Sequence, residues 1–285
     1  MDMFWLEYHD LPEGVGFGLH TPKHFLTLAV CALVSVLLCL WFQRLSWKKQ
    51  EKALKVLPLL MLAGNLLRDV YLLIVGYMSI AYLPLHLCSS SIFAYLLYAF
   101  LPEEIPEKVK QKEHLTEPDG SEKQKARRHR LSAFRTALGE VSFVLLMPGS
   151  VTALICPDWT AYPLFNFMCL HSFFWHTLIA CYPMLLLISG RIHPTIKHLW
   201  YPFLYLAIIT PPIALFDYKE DCNYLFVHWP VQGTPLESLC NLMGSYWRVG
   251  YAALVFVVIL VIYLVIELAR YLIRRIRTIT VKSQH

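Results

Sequence analysis

The sequence has few charged residues for its length. Of 285 residues, 16% are charged and 57% are hydrophobic, and the mean hydropathy is +0.49. One soluble core of this size cannot hide so much apolar surface, which excludes an ordinary water-soluble domain. We therefore expect the lipid bilayer to be the solvent for most of the chain.

The sequence also lacks the motifs of metal and nucleotide sites. It contains no CxxC pair and no glycine-rich phosphate loop, and the spacing of its cysteines fits no zinc site. We expect no metal ion and no cofactor. Most cysteines are predicted to be small packing residues, while Cys222 and Cys240 share one connection and can pair only in an oxidising compartment.

Long apolar segments are what the sequence has in abundance. Each is close to the roughly 20 residues that cross about 30 Å of hydrocarbon. The seven windows are residues 24–43, 54–78, 82–101, 136–156, 165–189, 198–216 and 247–273. Because no water satisfies backbone groups there, we predict an all-α, polytopic membrane protein with a seven-transmembrane-helix bundle. Kinks are expected at Pro58, Pro84, Pro148, Pro183 and Pro211.

The distribution of basic residues predicts the orientation of this bundle. Lysine and arginine cluster after the first and third windows and in the C-terminal tail, whereas the N-terminal segment and the connection after the sixth window are acidic. Basic connections stay in the cytosol, so we predict the N-terminus outside and the C-terminus cytosolic. Basic flanks beside anionic lipid also account for the net charge of +5, so membrane lipids are the expected partners and no nucleic acid is. The sequence names no protein partner.

The windows and the charge pattern divide the chain into three parts. Residues 1–23 form an extracytoplasmic segment, residues 24–273 the membrane domain and residues 274–285 a basic cytosolic tail. Within the membrane domain, residues 102–135 are rich in charge and are predicted to be a solvated cytosolic insert. Residues 217–246 are predicted to be an outer loop that contains a short amphipathic helix.

Aromatic residues flank the predicted connections on the outer side. The short helix begins at a capping box in residues 234–237, with Pro at its first position. Trp229 and Trp247 flank it and are expected to anchor it at headgroup depth. Trp159 and Tyr162, in another outer connection, are expected to be similar anchors.

The second window contains three polar residues on one helix face, Asn65, Arg68 and Asp69. Ionisable groups in hydrocarbon cost several kcal/mol, so these side chains are expected to face the interior of the bundle. Two interpretations remain open. Arg68 and Asp69 neutralise each other and lock two helices, or the three residues form a substrate-binding group in which Arg68 holds a lipid phosphate or carboxylate.

Histidine and cysteine occur near the outer ends of the third and fifth windows. His86 and Cys88 lie about 200° apart around a helix, so a base for the thiol has to come from another helix. His171 and His176 lie about 140° apart, and depth counted along the helices favours His171 as the partner. Each imidazole is also compatible with simple packing against a backbone carbonyl. Three histidines that titrate near neutral pH, close together, nevertheless favour an active site.

Several short motifs, taken in order, resemble those of a known family. They are Leu83-Pro84-Leu85-His86-Leu87-Cys88, Pro157-Asp158, Phe174-Trp175-His176, Cys222-Asn223-Tyr224-Leu225-Phe226 and Gly244-Ser245-Tyr246-Trp247. They resemble the YwaF-like bacterial membrane proteins, grouped with vertebrate transmembrane protein 164, over about residues 24–273. His86, His176 and Asn223 are the best-matched polar positions. In the vertebrate relative a cysteine directly precedes the matched histidine, whereas Leu85 stands here and Cys88 lies later on nearly the same helix face.

The resemblance implies a multi-pass cell-membrane protein that transfers phospholipid acyl chains. In this interpretation Cys88 accepts the acyl chain as a thioester and His176 or His171 is the general base, while His86 and Asn223 position the ester or its oxyanion. In an alternative mechanism without the thioester, a histidine deprotonates the acceptor hydroxyl directly. The alternatives are a transporter or lipid-binding protein with a polar cavity, and a structural partner subunit.

Overall fold

Every regular element in the described part of the chain is helical. The computed structural model describes residues 3–114, 121–231 and 234–282, with side chains as far as residue 276, and no strand occurs in these ranges. The chain divides into two compact units, Met1–Ile192 and His193–His285. The all-α prediction is confirmed.

The first unit is built around one central helix. Its helices are α1 (Pro22–Gln43), α2 (Trp47–Val75), α3 (Leu87–Phe100), α4 (Glu107–Glu113), α5 (Glu122–Val141), α6 (Met147–Ile155) and α7 (Phe167–Ile188). A π-helical turn, Ser142–Leu146, joins α5 to α6. The α7 helix packs against α1, α2, α3, α5 and α6. It therefore lies at the centre of this unit and buries more than half of its most apolar stretch.

The second unit contains three helices. They are α8 (Trp200–Glu220), α9 (Pro235–Met243) and α10 (Trp247–Lys282). The side chain of Thr234 accepts a hydrogen bond from the backbone N–H of Leu236 and so caps α9. The α9 helix packs against α10, where a Cβ on Gly250 would lie 2.4 Å from the Met243 sulfur. Glycine is what allows the two helices to approach so closely at this point.

Six helices are long and apolar enough to cross a membrane. They are Pro22–Gln43, Trp47–Val75, Glu122–Ile155, Phe167–Ile188, Ile196–Glu220 and Pro235–Ile276. The predicted window 82–101 forms a helix of only 14 residues, α3, which is about 21 Å long and short of the roughly 30 Å of hydrocarbon. Pro84 precedes this helix and does not kink it. A polytopic helical membrane protein is confirmed, while the count of seven spans and the orientation remain predictions.

Large apolar side chains cover the outward faces of these helices. In α1, Leu26, Leu33 and Leu37 are each more than half exposed. A water-soluble protein rarely exposes so continuous an apolar face, because contact with water is unfavourable. Lipid acyl chains cover such a face without that penalty, as expected for a membrane protein.

The joint between α5 and α6 explains how the chain accommodates Pro148. Proline has no N–H, so it removes a hydrogen bond from the preceding helical turn. The chain widens into the π-helical turn just before it, and Pro148 then falls in the first turn of α6. The prolines at 58, 183 and 211 lie inside α2, α7 and α8, the helices in which kinks are predicted.

The described residues of the predicted insert, 102–114 and 121–135, are mostly exposed. They include α4 and residues 122–135 of α5, whose start carries a capping box between Ser121 and Gln124. Glu103 forms ion pairs with two buried arginines, at 3.3 Å with Arg135 and at 2.9 Å with Arg191. Composition cannot show these ion pairs, because Arg135 and Arg191 are distant from Glu103 in the sequence.

The aromatic residues predicted to be headgroup anchors divide into two groups. Trp229 is 41% exposed, whereas Trp247, Trp159 and Tyr162 are all buried. Trp247 packs on Tyr251 inside the second unit. The three buried rings pack inside the protein, so they do not offer their surfaces to lipid headgroups as predicted.

Candidate functional site

The candidate residues of the first unit gather at one end of it. We call this the site end; it is formed by residues 3–20, 76–86 and 156–166, where α2 ends and α3 and α7 begin. Asn166 caps α7 there, because its Oδ1 accepts a hydrogen bond from the backbone N–H of Met168 at 2.8 Å. This cap fixes the direction in which α7 carries its histidines.

His176 is held in one tautomer and one ring orientation. Its Nδ1 lies 2.8 Å from the backbone carbonyl of Ser172. A carbonyl only accepts, so Nδ1 carries the proton in the neutral ring and Nε2 carries the lone pair. The Trp159 indole stacks on the imidazole, with centroids 4.9 Å apart and planes 19° apart. The ring therefore offers a basic nitrogen in a defined position.

Electrostatic interactions connect three of the candidate residues, directly or through one another, to one acidic side chain. His176 interacts electrostatically with both Asp158 and His86. Cys88 interacts with the same Asp158. The helices α3 and α7 and the loop between α6 and α7 thus supply one cluster, His86, Cys88, Asp158 and His176.

Asp158 had no assigned role in the sequence interpretation. Pro157-Asp158 carried part of the family resemblance, and that was the only signal for it. It lies in a short connection and is exposed, so hydropathy and helical periodicity say nothing about it. Its interaction with a histidine and a cysteine from two other elements is visible only in the tertiary structure.

His171 occupies a different environment from His176. It hydrogen-bonds to the backbone of Gly64 in α2 and interacts electrostatically with Arg68 and His176. Its ring stacks on Trp175 with centroids 5.7 Å apart. Counting depth along ideal helices favoured His171 as the partner of the third window, but the chain before α3 is not helical. It forms a 3-10 turn, Ile80–Tyr82, followed by turn residues as far as His86, so a constant rise of about 1.5 Å per residue does not apply there.

The polar group of α2 is paired internally. Asn65 donates to Asp69 Oδ2 at 3.1 Å, and Arg68 donates to Asp69 Oδ1 from Nε at 3.0 Å and from Nη2 at 2.6 Å. Arg68 Nη2 also donates to the backbone carbonyl of Tyr82 at 3.0 Å. These contacts tie the end of α2 to the chain that leads into α3.

Asn223 belongs to the second unit, whereas His86 and His176 belong to the first. Its Oδ1 accepts from the backbone N–H of His228 at 3.0 Å and of Trp229 at 3.2 Å, and its Nδ2 donates to the Trp229 carbonyl at 2.9 Å. The amide therefore holds its own loop in shape. Cys222 and Cys240, in the same part of the chain, are both free thiols.

A cavity of 460 Å³ opens at the site end. It is lined by Glu7, His9, Gly76, Tyr77, Met78, Ser79, Ala81 and Tyr82. Burial, together with the carboxylate of Glu7, raises the pKa of Tyr82 to about 12, so this phenol stays protonated and donates at any physiological pH. Its proton is donated to Glu7, another residue of the cavity wall.

Metal ligation is not a feature of this site in the described ranges. No group of three or more His, Cys, Asp or Glu side chains there is arranged to hold a metal ion. The chemistry that the cluster offers is that of an imidazole, a thiol and a carboxylate.

The chain matches known proteins at the level of a family profile. No curated protein and no solved structure matches the chain. The profile of the TMEM164 family matches residues 19–266, a range that contains α1 to α9, the whole cluster at the site end and the Asn223 loop. The chain therefore belongs to the TMEM164 family.

Proposed function

We propose that the protein is an integral membrane acyltransferase that moves acyl chains between phospholipids. The observation that carries the proposal is His176, whose Nδ1 is held by the Ser172 carbonyl and whose Nε2 bears the lone pair. It interacts electrostatically with His86 and Asp158, which belong to the site end. Membership of a membrane-protein family supports the choice of a lipid substrate.

In the direct form of the reaction, His176 Nε2 takes the proton of the acceptor hydroxyl as that oxygen attacks the carbonyl carbon of the donor ester. The tetrahedral intermediate then collapses, the bond to the donor oxygen breaks, and that oxygen takes the proton back from His176. Asp158 is suited to stabilise the imidazolium that forms in between, because opposite charges attract in a site of low dielectric constant. His86 is suited to donate to the oxyanion.

In the covalent form of the reaction, Cys88 takes part as the nucleophile. Its proton passes to a histidine, its sulfur attacks the donor ester and the lysolipid leaves with that proton. The acceptor hydroxyl then attacks the thioester, and Cys88 regains a proton. Cys88 interacts electrostatically with the same Asp158 that interacts with His176, and this shared partner is the observation that supports the covalent form. The two forms differ in whether Cys88 is essential.

The test is acyl transfer in vesicles that contain the full chain, a diacyl phospholipid with isotope-labelled acyl chains and an unlabelled lysophospholipid. Mass spectrometry measures the labelled chains on the acceptor. We expect His176→Ala to lower the rate by about 10²- to 10⁴-fold, the usual contribution of a general base. Cys88→Ser distinguishes the two forms, since it abolishes only the covalent one.

A matched control is His193→Ala, which changes an exposed histidine and is expected to leave the rate unchanged. Wild-type protein that transfers no label above protein-free vesicles would contradict the proposal. Equal rates for His176→Ala and wild type would contradict the role given to His176.

A further inference from the structure

The N-terminal segment, residues 3–20, is built into the site end. The backbone N–H of Phe17 donates to the Tyr162 carbonyl at 3.1 Å, and that of Gly18 donates to the Thr160 carbonyl at 3.2 Å. A Cβ on Gly16 would lie 2.4 Å from the Thr160 oxygen, so only glycine fits there. The segment and the loop between α6 and α7 thus lie backbone against backbone.

The same segment is tied to the ends of two helices. Asn166 Nδ2 donates to the carbonyls of Met3 and Leu6, at 2.9 and 2.8 Å. The Tyr71 hydroxyl donates to the Trp5 carbonyl at 2.8 Å. Asn166 is also the residue that caps α7, so the N-terminal segment is coupled to the helix that carries His176.

Glu7 connects the two other pieces of backbone that carry the site. Its side chain is 3% exposed. Its Oε1 accepts from the Tyr162 hydroxyl at 3.0 Å and the Tyr82 hydroxyl at 3.3 Å, and its Oε2 accepts from the backbone N–H of His9 at 2.9 Å. Tyr82 shortly precedes His86 in the chain, and Tyr162 shortly follows Asp158.

The hydrogen bonds from Tyr82 and Tyr162 to Glu7 persist at physiological pH. Burial, with the Glu7 carboxylate as a further cause, raises the pKa of Tyr162 and also that of Tyr82. Both phenols therefore remain donors, and hydrogen bonds to a charged acceptor are about twice as strong as neutral ones. A buried carboxylate needs such partners, because an unsatisfied one would be strongly unfavourable.

We infer that Glu7 is a positioning residue for the candidate site, acting through Tyr82 on His86 and through Tyr162 on the Asp158–Trp159 loop. Trp159 stacks on His176, so a shift of this loop changes the environment of the base. The inference rests on the proposed function for its kinetic consequence only. Its structural consequence, a looser site end, is measurable without any catalysis.

The experiment compares four variants of the full chain in lipid nanodiscs, all in a Cys156→Ser background that removes an exposed thiol. Glu7→Ala removes both acceptors, Glu7→Gln keeps Oε1 as an acceptor for the phenols, and Tyr162→Phe removes one donor. Asp10→Asn is the control, because Asp10 is an exposed carboxylate of the same segment, and its Oδ1 accepts from the Tyr77 hydroxyl at 2.9 Å. The first readout is the alkylation rate of Cys88, followed by mass spectrometry of its peptide.

We expect Glu7→Ala to raise the Cys88 alkylation rate by about tenfold or more, as local opening becomes easier. Tyr162→Phe should raise it less, and Glu7→Gln and Asp10→Asn should stay near the starting rate. In the acyl-transfer assay, Glu7→Ala should lower kcat by about 10- to 100-fold with little change in KM, because misplacing a catalytic group acts on the chemical step. Glu7→Gln should restore most of kcat.

Two results would overturn the inference. One is Glu7→Ala behaving like Asp10→Asn in Cys88 alkylation; the other is Glu7→Gln being as impaired as Glu7→Ala, since the acceptor geometry would then not be the cause. If Glu7→Ala does not fold, the Cys88 alkylation rates of Tyr162→Phe and Asp10→Asn are compared instead. Equal rates for these two variants would overturn the inference. Absence of acyl transfer in the wild type counts against the proposed function, while the alkylation rates still decide the role of Glu7.

Discussion

At the scale of single residues, buried charge in the first unit is matched by partners from distant parts of the sequence. Arg191 Nη1 donates to Gln50 Oε1 at 2.8 Å, and its Cζ lies 3.7 Å from the Trp47 ring centroid. Its Nε lies 2.9 Å from Glu103 Oε1, and Glu103 also pairs with Arg135. One carboxylate thus neutralises parts of two buried guanidinium groups, at the end of the unit away from the candidate site.

Replacing Glu103 with glutamine leaves these two guanidinium groups without their counter-charge. We expect Glu103→Gln to lower the free energy of unfolding by about 3 kcal/mol, the usual cost of breaking a buried ion pair. Glu104→Gln is the matched control: Glu104 is exposed and pairs with the exposed His129, and such pairs contribute about 0–1 kcal/mol. Thermal unfolding in nanodiscs measures both variants, and equal losses of stability would contradict the role of Glu103.

At the scale of the elements, the short helix α3 depends on the irregular chain before it. Non-helical backbone at membrane depth is stable only where protein or a wet cavity satisfies its polar groups. Here Arg68 of α2 donates to the Tyr82 carbonyl, and the Tyr82 hydroxyl donates to Glu7. These contacts hold the chain that leads to His86, the residue directly before α3, and to Cys88 in its first turn. The depth at which α3 begins is therefore set by tertiary contacts and not by helical periodicity.

Two glycines in the helices test how closely these elements pack. A Cβ on Gly139, in α5, would lie 2.7 Å from Ile192 Cγ2 and 2.8 Å from Tyr98 Cε2, whereas nothing lies within 4 Å of a Cβ on Gly64 in α2. We expect Gly139→Ala to destabilise by about 1–3 kcal/mol through overpacking. We expect Gly64→Ala to be neutral or to stabilise by up to about 1 kcal/mol, the gain in helix propensity.

Unfolding temperatures of the two variants provide the measurement. Helix propensity alone predicts the same sign for both substitutions, because both replace a helical glycine. A gain in stability for Gly139→Ala would show that α5 does not approach Tyr98 and Ile192 as closely as described.

At the scale of the whole molecule, the exposed apolar faces and the buried polar groups have one common cause. The chain places large apolar side chains where lipid covers them and keeps its charged groups at the helix ends or in pairs. Six helices are long enough to span a bilayer, whereas α3 alone is too short to do so. Whether α3 completes a crossing with the irregular residues before it determines the topology.

Labelling of single cysteines determines on which side of the membrane each connection lies. In a Cys156→Ser background, we introduce Glu13→Cys before α1 and Lys112→Cys after α3, both at exposed positions. If α1, α2 and α3 each cross, a membrane-impermeant maleimide labels Glu13→Cys in intact cells and Lys112→Cys only after permeabilisation, as the basic connections predict. Labelling of both from the same side would mean that α3 does not cross.

The sequence by itself determined that this is a helical membrane protein, where most of its helices lie, and where α9 starts. Each of these properties is local. A bilayer demands a continuous apolar segment and satisfies no backbone groups, so every window reports its own helix without reference to the others. The capping residue Thr234 acts within its own turn in the same way.

Only the tertiary structure decided which polar side chains meet. It brought His86 and His176 into electrostatic interaction, added Asp158 and Glu7 to the site end, and used the Asn223 amide to hold its own loop. It also buried Trp159 and Trp247, which composition had assigned to the membrane surface. These contacts link residues far apart in the chain through non-helical connections, where neither the rise per residue nor the direction of a side chain follows from helical periodicity.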